Sequence, residues 1–476
     1  MCRFLWVLMF SLACQHGALA GFHYQTDFSP QDFQARRAAI YAAIGDNVAI
    51  IQGAEEVQGF IIFRQSNTFY YLSGLESPSA YLVLDGKKRH ATLYLPHRDE
   101  ERERVEGQVL SAEDAELIMQ LTGVDEVRPI EKMAGDFTYK FLRGPTFPAL
   151  YTPHSPDEKY LQSRDEILSG FARRLADPWD GRPSKAGHFI ALLKTRYPQF
   201  TIVDLSPILD ELRSIKDDKE IALIRKASKL AALGIVEAMK STQVGVKEYQ
   251  LEASASFVFK NNGARGLSYN AIVGGGTNAW MGHYSANADS LQDGDLVLMD
   301  VAPDYHYYTS DLARMWPVNG QYSPDQRTLY GFVIAYHKAF MRQLRPGITA
   351  DQVLDAAAAD MQKVFATMQF SKGIYRQACE RALSFRGHVQ HPVGMSVHDV
   401  GNFKAQPLRA GQVFSIDPML WIPEEKLYIR MEDVVVITPT GVENLSASLP
   451  IEMDDIENVM KQQGLVQFNP ALFPAH

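Results

Sequence analysis

At 476 residues, with 46% hydrophobic and 22% charged residues, the chain has a globular composition and room for two or three domains. A formal charge of -9 and the lack of any basic tract count against nucleic acid as a partner. No segment reaches the apolar length of a membrane-spanning helix, which predicts a chain without a span.

Arg3 is followed by the apolar run Phe4 to Ala13 and then by Ala18-Leu19-Ala20, the pattern of a secretory signal with an A-x-A cleavage site before Gly21. Residues 1–20 are therefore predicted to be a leader that directs export to the periplasm or the medium. A lipoprotein signal at Cys14 ranks second, because Ser11 stands where such signals usually carry leucine. Of Cys2, Cys14 and Cys379 only the last would survive cleavage, so no disulfide is expected within the mature chain, and Cys379 reads as a small core residue.

Ser29-Pro30 opens a helix that Gly45 closes. Strand-like segments follow at Val48–Gln52, Phe69–Leu72, Tyr81–Leu84 and Ala91–Leu95, then helices near Ala112–Leu121 and Ala186–Arg196 and a strand at Thr201–Leu205. Residues 21–205 thus read as an α/β domain with few candidate ligands. A second domain, 206–476, begins where Asp217 and Glu220 have capping-box spacing and Ile221, Ile224, Ala227 and Ala231 follow at helical period. Another helix is predicted from about Val246 to Lys260, then a strand pair around Asp300 and Asp311, helices over Pro324–Leu344 and Ala350–Phe365, and a strand pair around Asp417 and Glu432. This alternation predicts an α+β fold built by duplication.

An internal repeat supports that reading. Leu291-Gln-Asp-Gly294-Asp-Leu-Val-Leu-Met-Asp300 and Leu408-Arg-Ala-Gly411-Gln-Val-Phe-Ser-Ile-Asp417 share a leucine, a glycine and a terminal aspartate at the same offsets. A lone aspartate after a strand is usually a turn former or cap; matching registers in two repeats suggest more. Buried carboxylates persist when paired or bound to metal. With Asp311, Glu432 and one imidazole, the set suits two divalent ions sharing oxygen ligands, Mn²⁺ before Zn²⁺ or Co²⁺. His388, His391 and His398 fall within eleven residues around Gly394 and look like a site wall, while His283 in Gly-His-Tyr is a weaker candidate. Asp399 and Asp433 adjoin candidates but should face away on extended segments.

Together these residues resemble the pita-bread metallopeptidases, and within them aminopeptidase P and prolidase. The resemblance rests on Asp293-Gly-Asp-Leu-Val-Leu-Met-Asp300, Thr309-Ser-Asp311-Leu-Ala-Arg-Met-Trp-Pro-Val-Asn-Gly320, Val397-His398-Asp-Val-Gly401 and Ile429-Arg430-Met-Glu432-Asp-Val, in that order. Phe63-Arg-Gln-Ser-Asn-Thr-Phe69-Tyr-Tyr-Leu-Ser-Gly74 similarly resembles the aminopeptidase P N-terminal domain. The resemblance implies a duplicated pita-bread catalytic domain and removal of an N-terminal residue that precedes proline, with prolidase activity on dipeptides or an impaired peptide-binding relative as alternatives. It implies that Asp300 and Asp311 hold one metal, His391 and Asp417 the other, and that Asp311 and Glu432 bridge. A hydroxide shared by the metals would attack the peptide carbonyl, His283, His398 and Arg430 would bind substrate or steady the carbonyl, and Asp417 would shuttle the proton. It also implies a homo-oligomer, dimer or tetramer. Two positions depart from the family pattern: Asp417 replaces the usual glutamate, and Gly387 stands where related aminopeptidases often carry a histidine, leaving open whether His388 takes its place.

Overall fold

In the computed structural model of the chain, residues 24–468 are described apart from 58, 60, 142–148 and 405, so the predicted leader lies outside the described residues. The chain divides into one unit of residues up to 159 with 166–212, and another of residues 160–165 with 213 onward.

In the first unit the helix Pro30–Ile44 starts where Asp32 accepts from the Ser29 backbone N–H at 2.6 Å, and it stops at Gly45 with φ of 60°. Strands β1 (Val48–Gln52), β2 (Tyr81–Asp85), β3 (His90–Leu95), β4 (Glu126–Pro129), β5 (Ala149–Thr152) and β6 (Thr201–Asp204) form one sheet in the order β4-β3-β2-β1-β5-β6. Val48, Ile50, Val83, Tyr94 and Leu150 alternate onto one face, where Phe189 and Leu193 of the helix Lys185–Arg196 cover them. The expected strand at Phe69–Leu72 is instead the helix Asn67–Ser73, with every residue buried. An apolar run buried on all sides carries no periodicity to distinguish strand from helix. Gly74 ends it with φ of 65°, and a Cβ there would come within 2.5 Å of the Phe33 ring.

The second unit contains β7 (Gly266–Leu267), β8 (Ile272–Gly275), β9 (Leu296–Asp300), β10 (Pro303–Asp304), β11 (Ala313–Pro317), β12 (Val389–Pro392), β13 (Val413–Ile416), β14 (Met419–Ile422), β15 (Leu427–Arg430), β16 (Asp433–Ile437) and β17 (Val442–Asn444). Its two principal sheets are related: β9 lies antiparallel between β8 and β11, and β13 between β12 and β16. The repeated leucines now have a shared task. Leu291 donates to Val246 O at 2.9 Å and accepts from Gly245 N at 2.8 Å; Leu408 donates to Ile348 O at 2.8 Å and accepts from Gly347 N at 2.8 Å. Each therefore clamps the loop that leads into the second helix of a pair, Asp218–Ser241 with Glu248–Asn261 and Pro324–Gln343 with Ala350–Thr367. Gly294 and Gly411, with φ of 85° and 87°, make the turn from clamp to strand. A further helix, Gly373–Ser384, precedes β12 and was absent from the expected order.

The halves meet at a backbone bridge, where Ala313 and Glu432 exchange hydrogen bonds of 3.3 and 3.0 Å, and Thr309 donates to Gly394 O at 2.9 Å. Asp433, in β16, and Asp399, in the irregular segment after β12, both face away from the candidate cluster. Asp399 meets Arg213 at 2.7 Å and Lys216 at 3.0 Å, and Asp433 meets Arg314 at 2.6 Å and His337 at 2.8 Å, all of them buried.

Although burial alone would raise it, the Asp433 pKa is held far below its ordinary 3.8 by Arg314 and His337. A depressed folded-state pKa contributes stability that is present above the unfolded value and lost as pH falls toward the folded one. Asp433→Asn should therefore cost about 3–5 kcal/mol in urea unfolding at pH 7, because it strands a buried arginine. The gap to the unsubstituted protein should narrow below about pH 4; a gap under 1 kcal/mol at pH 7 would contradict this.

Candidate active site

The strand ends and the bridge bring four carboxylates together. Asp300 is the last residue of β9, Asp417 follows β13, and Glu432 precedes β16 at the point where Ala313 pairs with it. Asp311 lies two residues before β11, so the turn at Tyr305–Tyr308 returns it to Asp300. All four side chains are buried, with Asp417 and Glu432 at 0% exposure.

Asp311 Oδ2 lies 3.3 Å from His391 Nε2, which is 4.0 Å from Glu432 Oε1, and donor atoms of these three residues all fall within 4.8 Å of one another. Arg430 closes the other side, 2.9 Å from Asp300 Oδ2 and 2.8 Å from Asp417 Oδ2, with Glu432 Oε2 as its third partner. Tyr269, which nothing in the sequence marked, places its hydroxyl 2.6 Å from Asp300 Oδ1 and 2.7 Å from Asp311 Oδ1. A hydroxyl has one proton to donate. Both contacts are satisfied when one carboxylate is itself protonated, and Asp300 is suited to that role: burial and Asp311 push its pKa up to about 7.

Burial likewise lifts Asp417 to about 6 against the pull of Arg430, and burial with Asp311 raises Glu432 well above its ordinary value. Asp311 goes the other way, to about 2, because His391 and Arg430 outweigh its burial. Burial lowers His391 despite Asp311, favouring the neutral imidazole that binds metal. One arginine faces four carboxylates, and two oxygens, Asp417 Oδ1 and Glu432 Oε1, are buried with no hydrogen-bond partner among the described residues. Such orphaned oxygens, beside three further carboxylates or imidazoles, fit divalent cations with a taste for oxygen.

The cluster opens into a cleft that Tyr269, His283, His391, His398 and Arg430 line. The His391 and His398 ring centroids are 4.1 Å apart, and His283, exposed in its loop, stands 6.3 Å from His398. The segment 160–165 steadies His398: Ser163 Oγ accepts from its backbone N–H at 3.1 Å, and Asp165 Oδ2 lies 2.7 Å from its Nδ1. His388, in contrast, is not in the site wall. Its Nε2 is 2.8 Å from Ala382 O, it packs among Tyr336, Phe340 and Phe385, and burial lowers its pKa to about 4. It does not take the place of a histidine at Gly387, where a Cβ would come within 2.3 Å of the Phe385 ring.

The chain is similar to proteins of one family along most of its length. The model of metallopeptidase family M24 matches residues 222–439, and that of the aminopeptidase P N-terminal domain matches residues 33–143. An Xaa-Pro aminopeptidase of Escherichia coli (strain K12) is 31% identical over 458 residues, covering 91% of this chain and 98% of that protein. An Xaa-Pro aminopeptidase of Haemophilus influenzae is 30% identical over 459 residues, covering 92% and 99%. Among solved structures, proline aminopeptidase P II from Yersinia pestis aligns with a TM-score of 0.73 at 30% identity, over 91% of this chain and all of that one. A substrate complex of an Escherichia coli aminopeptidase P variant aligns at 0.74 and 28%, over 92% and 99%. The chain belongs to the aminopeptidase P family, metallo-aminopeptidases that join an aminopeptidase P N-terminal domain to a pita-bread catalytic domain of family M24.

Proposed function

We propose that the protein removes the N-terminal residue from peptides with proline at the second position, using two divalent cations held by Asp300, Asp311, His391, Asp417 and Glu432. The observation that carries this reading is the buried cluster of four carboxylates and an imidazole with two orphaned oxygens. By the resemblance, Asp300 and Asp311 would hold one ion and His391 and Asp417 the other, with Asp311 and Glu432 serving both. The oxygen-rich set favours Mn²⁺, with Zn²⁺ or Co²⁺ as alternatives. Two such cations would acidify a water between them and polarise the scissile carbonyl.

The remaining steps belong to the chain's own groups. Asp417, pushed up to about 6 before metal enters, is suited to carry a proton toward the leaving nitrogen. His398, turned by Asp165 at Nδ1, and His283 at the lip are placed to donate to the carbonyl oxygen as negative charge develops. Arg430 holds three carboxylates in fixed orientation. Phe385, Trp421 and Tyr428, with centroids 4.9 and 5.5 Å apart in sequence, offer an apolar wall for a proline ring. The leader pattern at the N-terminus supports an exported enzyme.

With Mn²⁺ added, the mature protein should release the first residue of an Xaa-Pro-Xaa tripeptide. Cleavage of Gly-Pro alone would make it a dipeptidase, and cleavage of neither would contradict the enzymatic reading. His398→Ala should lower kcat by about 10²–10³ with metal content unchanged in elemental analysis; unchanged kcat would remove this residue from the chemistry.

Protonation gives a third test. The folded, metal-free pKa values of Asp300 and Asp417, about 7 and 6, lie above their ordinary 3.8. Raised carboxylate values stabilise the fold at low pH, and that contribution is lost as pH rises through the folded values. Cations require the deprotonated forms. The rise in thermal midpoint on adding a fixed concentration of Mn²⁺ should therefore be larger at pH 8 than at pH 6, and an equal rise would contradict it.

A further inference from the structure

Resting on the two-ion reading, we infer that Gln390 is a positioning residue whose amide holds the short Asp417 side chain with Oδ1 turned toward the second ion. The argument begins with a strand irregularity. In the pairing of β12 with β13, Val389 faces Ile416 and Pro392 faces Phe414, so three steps along one strand match two along the other. That extra residue is a β-bulge, a device that re-aims side chains. On a regular strand Gln390 and His391 would point to opposite faces. Here both line the same cleft, His391 toward Asp311 and Gln390 toward Asp417.

The contact itself is specific. Gln390 Nε2 donates to Asp417 Oδ2 at 2.5 Å, and Arg430 Nη2 reaches the same oxygen at 2.8 Å. The Asp417 backbone is pinned as well, its N–H donating to His388 O at 2.7 Å. Two donors on one carboxylate oxygen and an anchored backbone hold the side chain in one orientation, while Oδ1 stays buried without a hydrogen-bond partner among the described residues. A glutamate, the residue its family resemblance leads one to expect here, would reach one methylene further. Aspartate lacks that reach, so its orientation must come from a neighbour, and partners of ligands typically govern metal affinity by about 10–100-fold.

The test is calorimetric titration of Mn²⁺ into metal-stripped full-length protein. The unsubstituted protein should take up two ions. Gln390→Met, which keeps the length and lacks the donor, should bind one ion as before and the second about 10–100-fold more weakly, with the metal-free thermal midpoint lowered by no more than a few degrees. If that variant does not fold, Gln390→Ala gives the same reading. In an Asp417→Glu background the loss should shrink to under about 3-fold, since the longer carboxylate no longer needs the amide. Two ions bound by Gln390→Met at unaltered affinity would overturn the inference and leave the two-ion reading standing. A single ion bound by the unsubstituted protein would sink both. Equal weakening of both sites with a lowered midpoint, or an undiminished loss beside Asp417→Glu, would show that the amide acts through the fold and not through Asp417.

Discussion

Four carboxylates buried around one guanidinium is the constraint on which this catalytic domain depends. Two like charges about 4 Å apart repel by roughly 4 kcal/mol even at an intermediate dielectric. Arg430 reaches Asp300, Asp417 and Glu432 at once and still leaves an excess of negative charge. The excess must be met by protons or by cations. Protons answer at low pH, as the raised pKa values of Asp300 and Asp417 show. At neutral pH divalent ions can meet it, and the buried Asp417 Oδ1 and Glu432 Oε1 have no hydrogen-bond partner among the described residues.

The fold exists to hold that charge together. Each repeat sends a strand from a leucine clamp through a glycine turn into the cluster, and the bridge between Ala313 and Glu432 is among the contacts that hold one half against the other. One residue to the side the electrostatics invert. Asp433 adjoins Glu432 yet turns to Arg314 and His337, forming a closed ion pair that leaves nothing for a ligand. Asp399 next to His398 does the same with Arg213 and Lys216.

Much of this was legible in the sequence. The capping box at Asp217, the paired aspartates and the facing of Asp433 away from Glu432 follow from local chemistry and from periods that burial on one face imposes. What escaped depends on tertiary context. Phe69–Leu72 is apolar throughout, and a fully buried run does not announce its period. His388 shares a cluster with His391 and His398, but it precedes β12, and the packing of Tyr336, Phe340 and Phe385 around it draws it into an aromatic core. Gln390 was hidden by the bulge in β12, since a regular strand period would have turned it away from His391. Tyr269 sits in no pattern at all, and only the approach of two distant aspartates gives its hydroxyl a purpose.

The central claim, that this cluster is a two-ion centre, is tested most directly by anomalous diffraction from crystals of the protein soaked in Mn²⁺ at pH 8. Two peaks are predicted, sharing Asp311 and Glu432, one beside Asp300 and the other between His391 and Asp417. A single peak, or none within reach of Asp417, would contradict the account.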